Sequence, residues 1–315
     1  MTGGGYEHLY GPVPSRRLGR SLGIDMAPYK TCCFDCIYCQ LGRTTNHTME
    51  LAEYVPLDEM LAEVEAWLEA DGDADYLTFS ASGEPTLHSR LGEAIARVQE
   101  LTDIPIALLT NGALLWMEPV REAALLADLL MPSLDGGTPE AFRAVNRPCE
   151  GLSLDRVIEG LARTVAQFAG DTWLEVMLVK GVNDSEAELR AIAQAAEQIK
   201  PTQVQINTVV RPVPGGGAER LSDEELLRAV EILGPTAQVI PSAWEHGAPE
   251  GSEASDAEVL ALISYRPCTL QDVARGLGMH PNEAIKYVDH LLTRGAIRSE
   301  ARDDETYYVR ADFSA

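Results

Sequence analysis

The chain has 315 residues, 45% hydrophobic and 23% charged, an ordinary globular composition with length for a full core and about two domains. Its 49 acidic residues outnumber 25 basic ones for a net charge of −24, so a uniformly acidic surface would repel nucleic acid and anionic lipid. No apolar run reaches the ~18 residues of a membrane span; the best, 123–134, is broken by Asp128 and Pro132, and residues 1–10 lack an export-signal pattern, so the expected location is the cytoplasm.

No internal period of 20–50 residues is present. From residue 20 to 240, short apolar runs alternate with helical stretches. Residues 22–26 read as a strand, and Leu57, Met60, Leu61, Val64 and Leu68 keep helical spacing after Pro56. Strand 76–80, helix 90–101, strand 104–109, helix 117–127 and strand 128–134 follow. Helix 152–168, strand 173–179, helix 186–199 and strand 203–209 complete the series. Such alternation predicts βαβ units on a parallel sheet, either an incomplete barrel or a doubly wound sheet, with ligands at the C-terminal ends of the strands.

The stretch 241–255, rich in Pro, Gly, Ser and Glu, reads as a linker. Beyond it the pattern gives three short helices, around Val259–Ile263, Leu270–Leu277 and from Pro281, then a hairpin of 296–299 and 306–309 with a charged turn. That order predicts a winged helix-turn-helix. The expected organisation is therefore 1–240, a linker 241–255 and a small domain 256–315. Residues 251–315 carry seven basic and eleven acidic groups. The third helix sets Lys286 and Arg294 against Glu283 and Asp289, so DNA binding is disfavoured. Docking of a peptide or protein, or packing on the barrel, is favoured instead.

Four of the six cysteines fall within residues 32–39. Cys32, Cys36 and Cys39 form Cys-x3-Cys-x2-Cys after the first strand. Three thiolates on one short loop can hold three corners of a [4Fe–4S] cubane, leaving one iron open to an amino acid's amino and carboxylate groups. Read plainly, the same cysteines make a zinc knuckle or a structural cluster. Cys33 reads as packing. Cys149 and Cys268 read as small buried side chains, with Cys149 alternatively a hydrogen donor at the barrel mouth.

The cysteine loop, placed after strand one of a six-unit α/β chain, resembles the radical S-adenosylmethionine (SAM) superfamily. What the resemblance implies is a partial (βα)6 TIM-type barrel, here with a C-terminal winged helix. Its cluster reduces SAM to methionine and a 5′-deoxyadenosyl radical, which abstracts hydrogen from substrate. Tyr38 matches the adenine-contacting aromatic. Gly83-Glu84-Pro85 is similar to the family's Gly-Glu-Pro, with Glu84 expected to accept from the SAM ammonium and Gly83 to allow close backbone approach. Ser133 and Asp135 fall where ribose and carboxylate are bound, Asn183 where ribose or adenine is served, and Val209 where adenine packs. Residues 11–25 and 36–42 are similar to a subgroup labelled wyosine-synthetase-like; the wyosine-forming enzymes carry a different cysteine loop, so that activity is not implied.

The implied partners are a reductant such as flavodoxin or ferredoxin, and a substrate that is a small molecule, a peptide or protein, or a tRNA nucleoside. Residues 11–49 carry five basic groups against two acidic ones. Arg16, Arg17 and Arg20 fit two readings, ion pairs with the acidic body or an anion site at the barrel entrance. The competing functional class is an iron–sulfur or SAM-sensing regulator whose winged helix reads nucleic acid. The histidines lack ligand spacing and read as packed or solvated.

Overall fold

The computed structural model describes residues 6–80, 82–210, 213, 217–240, 256–277, 279, 281–302 and 305–311. The expected linker 241–255 and hairpin tip 303–304 lie outside them.

Two strands open the chain, β1 (Leu9–Ser15) and β2 (Gly19–Ile24), then the short pair β3 (Thr31–Cys32) and β4 (Asn46–His47). The alternating body follows: α1 (Leu57–Glu69), β5 (Tyr76–Phe79), α2 (Leu91–Leu101), β6 (Ile106–Thr110), α3 (Glu118–Ala124) and β7 (Leu129–Pro132). It continues with α4 (Pro139–Asn146), α5 (Leu154–Gln167), β8 (Asp171–Leu178), α6 (Glu186–Ile199), β9 (Gln203–Thr208), α7 (Asp223–Leu233) and β10 (Ala237–Val239). The C-terminal part holds α8 (Asp256–Tyr265), β11 (Cys268–Thr269), α9 (Leu270–Gly276), α10 (Pro281–Thr293), β12 (Ile297–Arg302) and β13 (Glu305–Arg310).

The main sheet runs β1-β2-β5-β6-β7-β8-β9-β10. Each expected βα unit contributes one parallel strand, from β2 through β9. Two additions flank them: β1 pairs antiparallel with β2, and β10 parallel with β9. Strands buried on both faces explain the near-continuous apolar runs: Leu77, Phe79, Ile106, Leu108, Leu130, Leu174, Val176 and Ile206 are fully buried. Helices present Met60, Val64, Ile95, Val98, Leu161 and Ile192 to the same core. At ~25 cal/mol per Å² this burial is the main force holding the barrel.

The C-terminal elements build their own core from Val259, Leu262, Ile263, Val273, Ala274, Val288 and Leu291, beside the three-stranded sheet β11-β13-β12. This part is not detached. Val13 of β1 packs against that core, and Tyr307 Oη donates to the Val210 carbonyl at 2.9 Å. Helices α8 and α9 lie on β1, so the otherwise open edge of the main sheet is covered. Among the described residues no helix is long and apolar enough to cross a membrane.

Candidate active site

The cysteine loop crosses the C-terminal ends of the strands, as expected of a parallel α/β sheet. Cys32 closes β3, Cys36 and Cys39 follow in the next turn, and all three thiols are free and half-buried. Each sulfur is met by a different side-chain N–H donor. Asn111 Nδ2 lies 3.4 Å from Cys32 Sγ, Asn146 Nδ2 3.4 Å from Cys36 Sγ, and Lys30 Nζ 3.1 Å from Cys39 Sγ. The Phe34 N–H adds a second donor to Cys32. Such donors suit sulfurs that carry negative charge.

Burial, then the nearby Asp135, push the Cys36 thiol well up, so a bound cation is what would hold it as thiolate. Burial of Lys30 opposes its charge, but Cys39, Cys32 and Cys36 outweigh it and leave the ammonium more basic than usual. Among the described residues no three His, Cys, Asp or Glu side chains converge as a single-ion site requires. A cubane instead asks for one sulfur per iron, and the donor set fits that group. Cys33 is fully buried and packed in the main core.

Gly83 docks the second motif onto this loop. A Cβ there would stand 2.3 Å from the Thr31 carbonyl oxygen, so only glycine allows this approach. The Glu84 N–H donates to that carbonyl at 3.0 Å and the Lys30 N–H to Ser82 at 2.6 Å. Glu84 is 3% exposed. Its Oε1 accepts from Thr86 N–H, Thr86 Oγ1 and Thr110 Oγ1, while among the described residues Oε2 accepts from the Asn111 N–H alone. One lone pair is thus left on Oε2 for a ligand. Burial raises the Glu84 pKa against these hydrogen bonds.

Asp135, beyond β7, is pinned on both oxygens. Oδ2 accepts from Tyr38 Oη at 2.6 Å and Asn146 Nδ2 at 2.7 Å, and Oδ1 from the Met177 N–H at 2.9 Å. Its pKa is pushed up to about 6, burial outweighing those bonds. Asn183 is fully buried. Its Nδ2 donates to the Asp135 and Met177 carbonyls and its Oδ1 accepts from the Val179 N–H. Both donors are spent on main chain, so its contact set is that of a clamp behind the site. Ser133 is half-buried at the end of β7 and bridges to Glu175 of β8. Tyr38 and Val209 share one apolar patch with Ile37, Val179, Val182 and Ala218.

Sequence reasoning missed Asn111, Asn146 and Lys30, which touch the three sulfurs. The two readings of the N-terminal arginines divide. Arg20 turns outward to Asp73. Arg17 reaches Glu175 and Gln205, and Arg16 donates to Asn207 Oδ1 at 3.2 Å. Cys149 lines a separate groove with Asp35, Phe142 and Asp155, not the cavity that holds Tyr38 and Cys39. His88 is packed, its ring bonded to the Val55 carbonyl and the Arg90 N–H.

Residues 26–192 match the family model described as Radical SAM superfamily. The chain belongs to the radical SAM superfamily. It is 31% identical over 307 residues to a UPF0026 protein of Methanocaldococcus jannaschii, covering 96% of this chain and 95% of that one. It is also 35% identical over 297 residues to a protein named GTPase Obg of Brachyspira hyodysenteriae, covering 93% of this chain but 44% of that relative. The chain thus spans less than half the length of this second protein. Among solved structures, a radical SAM methyltransferase from Sphaerobacter thermophilus shares the fold, with a TM-score of 0.51, 20% identity, and 70% and 65% of the two chains covered. This radical SAM chain is an enzyme whose cofactors are SAM and a [4Fe–4S] cluster.

Proposed function

We propose that Cys32, Cys36 and Cys39 hold the cluster, and that SAM lies against it to be cleaved for hydrogen abstraction from a substrate. When bound, cluster and SAM supply one-electron cleavage to methionine and a 5′-deoxyadenosyl radical. The protein orients the reactants and excludes water. Glu84 offers Oε2 to the ammonium, and the half-buried Ser133 offers its hydroxyl to the polar edge. Tyr38 and Val209 supply the apolar patch for adenine. Gly83 keeps the two motifs in contact. Asp135 and Asn183 fix the geometry: Asp135 ties Tyr38 to β8, and Asn183 holds the chain beneath it. The single observation that carries this reading is that each of the three sulfurs faces a different side-chain N–H donor, the one at Cys32 shared with Cys33, beside a buried Gly-Glu-Pro turn.

A low-potential electron enters from a flavodoxin or ferredoxin, and the location is cytoplasmic. The winged helix belongs to the same reading, supported by the order α8-β11-α9-α10-β12-β13 and by a separate core. So do the limits 1–240, 241–255 and 256–315, and kinship with the wyosine-like subgroup.

The test is anaerobic reconstitution with iron and sulfide, then dithionite and SAM. We expect 5′-deoxyadenosine from the wild type, and loss of both cluster absorbance and product in Cys36→Ser. Protein that retains zinc instead of iron, or whose paramagnetic spectrum ignores added SAM, overturns the reading. A shifted DNA fragment without 5′-deoxyadenosine would install the regulator in its place.

A further inference from the structure

Of the three side-chain donors that meet the cysteine sulfurs, only one carries a charge. Asn111 and Asn146 offer neutral amides to Cys32 and Cys36, whereas Lys30 brings its ammonium to Cys39 Sγ at 3.1 Å. Lys30 is 4% exposed. Among the described residues no carboxylate lies within ion-pair distance of it; the groups that act on its charge are the sulfurs of Cys39, Cys32 and Cys36. Enclosing an ammonium is costly unless an opposite charge lies against it. A lysine aimed at these sulfurs therefore asks for a negative group at the cysteine loop.

The backbone is set to hold it there. Lys30 has a φ of 58°, a left-handed conformation disfavoured for any residue with a Cβ. Three main-chain bonds fix it. The Lys30 N–H donates to the Ser82 carbonyl at 2.6 Å, and the Thr45 and Asn46 N–H groups both donate to the Lys30 carbonyl at 3.1 Å. Lys30 is thus tied to the Gly-Glu-Pro turn on one side and to the chain beyond Cys39 on the other. None of these bonds needs a lysine side chain, and strain kept by its surroundings points to a role. Charge supplies one. A cubane core held by three thiolates is anionic, and more so by one charge after an electron is added. The net charge of −24 sets the field of the chain against that electron. An ammonium one hydrogen bond from the cluster opposes that field, and out of water it is little screened by salt.

We propose that Lys30 is a positioning residue acting through Cys39, whose fixed positive charge raises the reduction potential of the cluster and so eases electron entry from a flavodoxin- or ferredoxin-class donor. The inference rests on the reading that Cys32, Cys36 and Cys39 hold that cluster. The step it eases moves one electron. The donor is oxidised and the core reduced by that electron, no bond forms or breaks, and Lys30 keeps its proton throughout. Asn111 and Asn146 donate hydrogen bonds to the other two sulfurs but add no net charge, so the tuning by charge falls to Lys30.

The test is an anaerobic, dye-mediated redox titration of the full-length, cluster-loaded enzyme, followed by paramagnetic resonance in the absence of SAM. Lys30→Gln removes the charge and keeps a donor, whereas Lys30→Arg keeps the charge. We expect Lys30→Gln to disfavour reduction about 10-fold, a midpoint drop of about 59 mV for one electron, at unchanged iron and sulfide content. Lys30→Arg should restore most of the drop. Formation of 5′-deoxyadenosine by Lys30→Gln should fall with a flavodoxin as donor and recover with titanium(III) citrate, a stronger reductant. A merely structural lesion would not recover in this way. A wild-type midpoint in Lys30→Gln overturns the proposal, the more so with a raised KM for SAM, which would set Lys30 against SAM instead. Lys30→Met also removes the charge and keeps the test open should Lys30→Gln load no cluster; loss of the cluster in both makes Lys30 a structural residue and overturns the proposal. A wild type that forms 5′-deoxyadenosine, with the same midpoint in every variant, sinks this inference and leaves the radical SAM reading standing. A midpoint that depends on Lys30 in an enzyme that forms no 5′-deoxyadenosine keeps the tuning role and sinks that reading.

Discussion

Asp25, just past β2, is 8% exposed and accepts from the Ser82 hydroxyl and from the main-chain N–H groups of Ala27 at 3.2 Å and Ser82 at 3.3 Å. Burial outweighs these and pushes its pKa up to about 6 from 3.8. The folded state thus holds this proton more tightly than the unfolded chain. Its contribution to stability is complete below pH ~4 and is lost as pH rises through about 6. A shift of about two units corresponds to a penalty on the order of 3 kcal/mol at neutral pH. Asp25→Asn cannot titrate. Whatever its constant offset, its stability should fall less between pH 4 and 6.5 than that of the wild type. Urea unfolding at several pH values measures this, and parallel curves would refute it. At this scale the sequence is legible where spacing encodes chemistry, as with Cys32, Cys36, Cys39 and the Gly83-Glu84 pair. Asp25, Lys30, Asn111 and Asn146 carry no local pattern. Their placement depends on strands and loops brought together only by folding.

Gly160, inside α5, sets two element-scale effects against each other. Helix propensity favours alanine over glycine by about 1 kcal/mol. A Cβ at Gly160 would stand 2.4 Å from the Trp116 nitrogen and 2.9 Å from the Leu115 carbonyl carbon, both main chain. Main chain cannot rotate away, and overpacking costs about 1–3 kcal/mol. The clash wins, so Gly160→Ala should lower the thermal midpoint, and an increase would show that α5 can slide. The helices read from periodicity, α1, α2, α5 and α6, owe their legibility to long amphipathic stretches. The elements missed are short or masked by composition. Pro12 and Pro14 hide β1, and α4 is eight residues. At α7 the signal was present, since Ser222 and Glu225 form a capping box before Leu226, Ala229 and Leu233.

The whole molecule carries 49 acids against 25 bases, so even if every base were paired, about half of the acids would remain unpaired. Many pairs that do form are exposed, such as Arg143–Glu140, Arg163–Glu159 and Arg190–Glu186. Each is worth little in water. Added salt weakens those attractions, but it also screens the larger sum of repulsions, whose range reaches beyond ~10 Å at low ionic strength. Repulsion outnumbers attraction here, so screening should stabilise. The thermal midpoint at pH 7.5 should rise from 10 mM to about 300 mM KCl and then level off as the Debye length shrinks below the spacing of surface charges. Potassium chloride is the right probe because sulfate or phosphate would add burial-strengthening effects. A midpoint that falls across this range would mean that local ion pairs, and not the net charge, govern this acidic fold.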